Sequence, residues 1–283
     1  MKKILCTFAN HYMTKGFPRF KEQAESLQVF DDIKFFTQKD LGKDFRQKYG
    51  RYLFPYSRGF GYWAWKPYLL LKTLTEMDEG DILVYADLGC FFNPKGRKRM
   101  LEYFDIVQKS AKGVLGFRSY EVSSNGMPES TYYEYQYTKG DILDYFGVRN
   151  DKYFTDTTQF EATVIFFRRT DVAIKFLQEW LDTIYEDTTL ITDEPSRSSN
   201  MEGFIENRHD QSIYSILAKK FQISELSTNE IFAKNQNWSL LEQYPILAVR
   251  DKHYKSKFHY KYRFRIRSMY NRLWALKYFF KKL

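Results

Sequence analysis

Cysteine is nearly absent: Cys6 and Cys90 are the two in 283 residues. Far apart and set in apolar, strand-like stretches, they make neither a disulfide framework nor a zinc site. Reduced, buried thiols are expected instead. Histidine is scarce too, and none of the four stands at zinc-ligand spacing from another or from a cysteine. Seven prolines and 14 glycines are too few for a collagen-like, linker-like or low-complexity chain. No apolar run approaches the roughly 18 residues of a transmembrane helix. The N-terminal run 4–9 is too short for a signal-peptide core, and Asn10 and His11 end it without a cleavage site. A cytoplasmic protein is therefore expected. Also missing are a Gly-x-x-x-x-Gly-Lys-Ser/Thr phosphate loop, a dinucleotide fingerprint in the first βα unit and a Gly-x-Ser-x-Gly elbow. These absences weaken P-loop, Rossmann oxidoreductase and nucleophile-elbow readings.

Aromatics, by contrast, are abundant: 26 Phe, 23 Tyr and 5 Trp make up 19% of the chain, which excludes wholesale disorder. The net charge of +9 is unevenly placed. Residues 250–283 hold 12 of the 44 Lys and Arg and one of the 35 acids, so this stretch carries +11 and the remainder −2. A near-neutral body argues against a nucleic-acid-binding domain, whose positive charge covers a working face. The chain thus divides into a body, 1–249, and a basic tail, 250–283. In the tail Phe258, Tyr260, Tyr262, Phe264 and Ile266 alternate with cations, and Met269, Leu273, Trp274, Leu276 and Phe280 suggest an amphipathic helix. Such a segment binds anionic membrane surfaces, at about 1 kcal/mol per basic residue. A basic face packed on the body is the alternative.

Hydrophobic spacing predicts strands at 4–9, 33–36, 82–86, 114–117, 162–167 and 246–249. It predicts helices following residue 17, over 65–77, through Met100 to Val107, over 172–184 and from about 210. Alternating strands and helices point to an α/β fold, a mostly parallel sheet sandwiched by helices. Two polar stretches, 118–140 and 186–208, fit no regular element and read as lids, binding loops or disorder.

Five constellations could carry chemistry. Asp87 follows the strand 82–86, and ligands of open α/β sheets bind beyond the carboxyl ends of strands. A carboxylate there can hold a sugar hydroxyl or a metal–diphosphate group, and Gly89 would let a ligand approach the backbone; a plain Asp-x-Gly turn is the alternative. In the run Arg58-Gly59-Phe60-Gly61-Tyr62-Trp63-Ala64-Trp65-Lys66-Pro67, flat rings can stack on a base while Arg58 and Lys66 neutralise a diphosphate. Lys66 would lie near a helix N-terminus; a packed aromatic turn burying Trp63 and Trp65 is the other reading. Glu161 opens an apolar strand, either to hold a sugar hydroxyl or as a solvated strand end. Asp210 is either an N-cap or a general base, with Gln211 helping to position an acceptor hydroxyl. His253 and Lys257 could contact phosphate or a metal, or simply begin the tail.

The run 59–67, together with Tyr85-Ala86-Asp87-Leu88-Gly89-Cys90-Phe91-Phe92-Asn93, resembles paired motifs of bacterial GT-A-type glycosyltransferases of lipopolysaccharide and capsule biosynthesis. Phe160-Glu161-Ala162 and His209-Asp210-Gln211 follow in the matching order, so the resemblance spans residues 1 to about 257. It implies a GT-A-like (Rossmann-like) fold and a hexosyl or deoxyhexosyl transferase. The donor would be a UDP- or GDP-linked sugar, and the acceptor lipopolysaccharide, O-antigen or another cell-surface glycan. The resemblance implies that Thr7, Phe8, Ala9 and Asn10 face the nucleotide, joined by Arg58, Tyr62, Trp63 and Lys66, with His253 and Lys257 at the diphosphate. Glu161, Asp210 and Gln211 would meet donor sugar and acceptor. Asp87 and Asp210 are the catalytic candidates, and Asp210 as base would make the reaction inverting. Asp87 stands where the family's Asp-x-Asp motif holds a metal, but Gly89 replaces the second acid, which leaves Mn²⁺ or Mg²⁺ at Asp87 open. The implied location is the inner face of the cytoplasmic membrane, reached through the tail, with no nucleic-acid partner. Two other functions stay in view: a metal-dependent phosphodiesterase with Asp87, Glu161 and Asp210 as ligands, and a non-enzymatic membrane-associated adaptor.

Overall fold

The first strand, β1 (Lys3–Phe8), is apolar on both faces, as a strand covered from both sides must be. The computed structural model describes residues 1–54, 57–119, 132–233 and 237–251. The tail expectation, with His253 and Lys257, lies outside the described residues. After β1 come α1 (Phe17–Ser26), β2 (Asp32–Phe36), α2 (Lys43–Tyr49), the single turn α3 (Gly59–Tyr62), α4 (Trp65–Thr75), β3 (Ile82–Ala86), β4 (Phe91–Phe92) and α5 (Arg97–Lys109). The second half adds β5 (Val114–Arg118), α6 (Glu134–Tyr137), α7 (Gly140–Tyr145), α8 (Lys152–Thr155), β6 (Phe160–Arg168) and α9 (Asp171–Glu186). It closes with α10 (Asp210–Phe221), β7 (Ser224–Ser227) and β8 (Ile246–Leu247).

Six strands form one sheet in the order β2-β1-β3-β6-β5-β7. Five run the same way, and β6 is antiparallel to both of its neighbours. The expected mixed, mostly parallel sheet between helices is therefore what the chain builds. One layer packs α4, α9 and α10 on the sheet through Leu69, Leu70, Phe176, Trp180, Ile213 and Tyr214. The other packs α1 and α5 through Phe20, Ala24, Met100 and Phe104. In α9, apolar residues at 173, 176, 177, 180, 181 and 184 keep one face inward, and Thr170 caps the start by accepting from the Ala173 N–H at 3.1 Å. Each fully buried large side chain of this kind contributes roughly 1.5–3 kcal/mol. Both cysteines are buried thiols, as expected.

Two expectations change. The segment 246–249 is not a strand of the main sheet; its first two residues pair with β4 in a separate ribbon. The sheet's far edge is instead β7, whose Ser-Glu-Leu-Ser sequence is half-exposed and carries no apolar run to betray it. The ribbon matters for the site. Pro245 packs so closely on Gly96 that a Cβ there would lie 2.3 Å from the Pro245 nitrogen. Beyond the ribbon, the Ala248 N–H donates to the Ile231 carbonyl at 2.7 Å and the Asp251 N–H to the Gly89 carbonyl at 3.1 Å, which lays residues 248–251 beside the end of β3.

Candidate active site

The ends of β1 and β3, the 57–66 turn, the middle of β6, the start of α10 and the segment 248–251 enclose one cavity of about 480 Å³. This is within the range of small-molecule sites, at the strand ends where an α/β sheet offers one.

Asp87 lies one residue beyond β3 and is half-buried. Its N–H donates to the Thr163 carbonyl at 2.9 Å, and its Oδ1 accepts from the Tyr85 hydroxyl at 2.5 Å. Burial, with the Asp87 charge beside it, holds that hydroxyl protonated far above the usual tyrosine range. The next three residues turn back, with the Cys90 N–H donating to the Asp87 carbonyl at 2.8 Å. Gly89 was expected to admit a ligand. It admits the protein's own chain: the Asp251 N–H donates to its carbonyl at 3.1 Å, and a Cβ would sit 3.1 Å from the Arg250 Cα.

Asp210 belongs to the first turn of α10, and the N-cap is His209, not Asp210. The Asp210 carboxylate pairs with the Lys66 ammonium at 2.9 Å, the two side chains being 5% and 3% exposed. Burial lifts the Asp210 carboxyl to about 6; the Lys66 charge opposes the rise and the Asp87 charge adds to it. Lys66 also donates to the Ala162 carbonyl at 2.9 Å and sits over the Tyr85 ring at 5.1 Å. It is near a helix start, as expected, but its charge is already engaged inside the protein.

His209 is held at φ 60°, ψ −123°, a conformation that costs of order 1–3 kcal/mol. Its Nδ1 lies 2.7 Å from the Ile191 carbonyl, which can only accept, so Nδ1 carries the proton. Burial and the nearby Arg58 lower its pKa to about 3, so the ring is neutral.

Glu161 is not a solvated strand end. It is 4% exposed within β6 and lies behind the cavity wall. Burial pushes its carboxyl above the usual range, opposed by Arg250 and Arg208. Gln211 lines the cavity, yet its amide is committed to a brace. Its Oε1 accepts from the Ala162 N–H at 3.3 Å, and its Nε2 donates to Gln159 at 3.1 Å. Gln159 in turn donates to Glu134, which pairs with Lys219 at 2.6 Å in the fully buried interior.

The aromatic turn divides by role. Trp65 is core: it stacks on Phe8 at 3.9 Å between centroids, and its Nε1 donates to the Gly59 carbonyl at 2.9 Å. Trp63 lines the cavity with its ring 5.6 Å from His209. Tyr62 lies outside the wall, and its hydroxyl donates to Asp193 at 3.3 Å. Arg58 lines the wall while paired with Asp193 at 2.9 Å and Glu206 at 3.8 Å. Phe60, Tyr62 and Trp63 all have left-handed backbones, so this turn is strained where it meets the cavity. Of the β1 residues, Phe8, Ala9 and Asn10 line the cavity; Thr7 is fully buried behind them. Asn10 Oδ1 and Thr7 Oγ1 are buried acceptors with no hydrogen-bond partner among the described residues.

Sequence reasoning missed four residues here. Tyr85 entered only as part of the motif 85–93. Neither Arg208 nor Arg19 was given a role. Arg250 looked like the first charge of the tail; it is exposed on the cavity wall, stacks on Phe232 at 5.2 Å, and makes no ion pair among the described residues.

Among the described residues, no three His, Cys, Asp or Glu side chains come together to hold a metal ion. Asp87 is the sole carboxylate of its turn and already accepts from Tyr85. Glu161 is behind the wall, and Asp210 is paired with Lys66. Among the described residues, which leave out His253, this donor set does not by itself hold a divalent cation, and the three-acid arrangement of a phosphodiesterase is not assembled. No described helix is long and apolar enough to cross a membrane.

No protein-family model and no curated protein sequence matches the chain. Solved structures similar to it include a glycosyltransferase involved in glycosylation of the major capsid of PBCV-1, at 9% identity and a TM-score of 0.48, covering 90% of this chain and 98% of that one. Mouse xyloside xylosyltransferase 1 is similar at 10% identity and a TM-score of 0.43, covering 90% and 96%. The galactosyltransferase LgtC, solved with donor and acceptor sugar analogues, is similar at 12% identity and a TM-score of 0.40, covering 88% and 80%. At this distance such likeness decides no activity, and the geometry of the site must.

Proposed function

We propose that the protein is a glycosyltransferase that moves a sugar from a nucleoside diphosphate to a glycan acceptor. One observation carries this reading: two aspartates in contrasting surroundings, Asp87 and Asp210, line a single cavity at the carboxyl ends of the strands, beside a flat ring, Trp63, and a cation, Arg250. The motif resemblance points the same way.

In this reading the nucleotide lies against the end of β1, with Trp63 offering a stacking face and Asn10 a buried acceptor. Arg250 meets the diphosphate, and His253 and Lys257 follow it in the chain. Asp87, oriented by Tyr85, accepts from donor-sugar hydroxyls and stabilises positive charge as the anomeric carbon loses its phosphate oxygen. The acceptor hydroxyl attacks that carbon. Its proton passes to Asp210, and the bonding pair leaves with the nucleoside diphosphate. A carboxyl titrating at about 6 is mostly ionised at neutral pH yet basic enough to take a proton. Attack aided by a base on the far side inverts the anomeric centre. Glu161 and Gln211 act here by supporting the wall rather than by touching sugar. The donor is UDP- or GDP-linked and hexosyl or deoxyhexosyl; the acceptor is lipopolysaccharide, O-antigen or a related surface glycan. The enzyme works in the cytoplasm on the inner membrane face, held there by the tail.

A thermal-shift screen with UDP, GDP, CMP and dTDP, with and without Mn²⁺, tests the reading. A shift for one nucleotide, followed by release of that nucleotide from its sugar ester, is the expected result. No shift for any of them sinks it and favours the adaptor.

A further inference from the structure

We infer that Arg19 is the positioning residue of this site: it locks the Asp87 turn and the segment 250–251 into one unit, and so places Arg250 on the cavity. The inference rests on the transferase reading.

Arg19 sits on α1, outside the cavity wall, with its side chain 23% exposed. One guanidinium addresses three parts of the chain. Nη1 donates to the Cys90 carbonyl at 2.7 Å and to Gln23 at 2.9 Å. Nη2 donates to the Leu88 carbonyl at 2.5 Å. Nε faces the Asp251 carboxylate at 3.5 Å, and that carboxylate is only 8% exposed. The group lies over the Phe91 ring at 4.5 Å, which fixes its plane. The loop closes on itself because the Asp251 N–H donates to Gly89, between the two carbonyls that Arg19 holds.

Removing the clamp has two separate consequences. Leu88 and Cys90 lose their donor directly after Asp87, so the carboxylate loses its setting. Asp251, its side chain 8% exposed, loses the guanidinium it faces, which loosens the segment from Gly89. Arg250 is the residue exposed to that change. Its φ of 57° is left-handed, a conformation a non-glycine residue keeps only when its surroundings impose it. Lysine cannot substitute, because a point charge on a flexible stem cannot reach two carbonyls and a carboxylate as a planar fork does.

The test compares UDP and GDP with uridine and guanosine by calorimetry, on wild type, Arg19→Lys, Asp251→Asn, Arg250→Ala and the Arg19→Lys/Arg250→Ala pair. Arg19→Lys and Asp251→Asn should each weaken the diphosphate about tenfold, equal to 1.4 kcal/mol, and leave the nucleoside unchanged. The double variant should be no weaker than Arg250→Ala alone, the signature of two residues acting through one contact. Guanidinium ion added to Arg19→Ala should recover part of the turnover. Equal losses for nucleoside and diphosphate, additive losses in the double variant, or no loss at all would overturn the inference. A wild type that binds neither diphosphate removes the transferase reading, and this inference with it. Asp251→Asn keeps the test decisive should the Arg19 variants fail to fold, because it leaves Arg19 and its carbonyl bonds in place.

Discussion

Asp87 and Asp210 are the same residue on the wall of the same cavity, and their surroundings make them different groups. Asp87 is half-buried on a turn braced by backbone bonds, and its partner is a neutral phenol. Asp210 is buried on a helix start and answers to a buried ammonium. A phenol orients a carboxylate without competing for its charge, which suits a group that must present charge to a ligand. A buried ammonium stabilises a charge that dry surroundings resist, which suits a group that must change its charge. One fold can thus draw a fixed anion and a proton acceptor from one side-chain type.

The largest expected effect comes from breaking the buried pair. Lys66→Met takes away the cation that holds Asp210 ionised, so the carboxyl must bind a proton or stay buried as a bare charge, and urea unfolding at neutral pH should show a loss of about 3–5 kcal/mol. Lys66→Met with Asp210→Leu should recover much of it; a double variant as unstable as the single one would mean that the pair is not what holds this corner. Asp87→Asn keeps the shape and removes the charge. Sugar transfer should fall by about 10²–10³ while the melting temperature barely moves, because the Tyr85 hydroxyl can still donate to the amide oxygen.

A third expectation concerns pH. Folding raises the Asp210 carboxyl from 3.8 to about 6, so the folded state binds this proton more tightly than the unfolded one. The resulting stability is present below pH 4 and disappears as pH rises through 6, a fall of about 3 kcal/mol. Asp210→Asn should flatten that part of the profile measured by urea unfolding from pH 4 to 7; an unchanged slope would assign it to another group. Transfer by wild type should rise over the same window as Asp210 ionises. The smallest effect is expected at Gly89→Ala. A methyl there presses on backbone atoms of Arg250 and Asp251 at 3.1–3.2 Å, and the cost should be about 1 kcal/mol with a modest loss of turnover.

Local order was legible wherever burial writes a period into the chain. The strand 82–86 has the bounds read from its apolar run, and residues of the motifs at 58–67, 87–89 and 208–211 meet in one cavity. What stayed hidden was the partner of each polar group. A lysine reads the same whether it faces water or, as Lys66 does, an aspartate 144 positions away. Arg19 looks solvated until Asp251 folds back onto it. Gln211 looks like a substrate hydrogen-bonder until Gln159 takes its amide. Gly89 announces a close approach but not by what. Glu161 shows the limit from the other side: an acid at a strand start suggests solvent, yet the sheet extends past it and seals it in.

Helix α10 carries a buried ion pair near each end, Asp210 with Lys66 and Lys219 with Glu134. Removing the charge of any one of these four residues leaves its partner in the interior without a counter-charge. Descent from a common ancestor must therefore cross these positions two at a time. Diverged sequences that keep this fold should show both members of a pair retained, both swapped, or both turned apolar, with few survivors caught between.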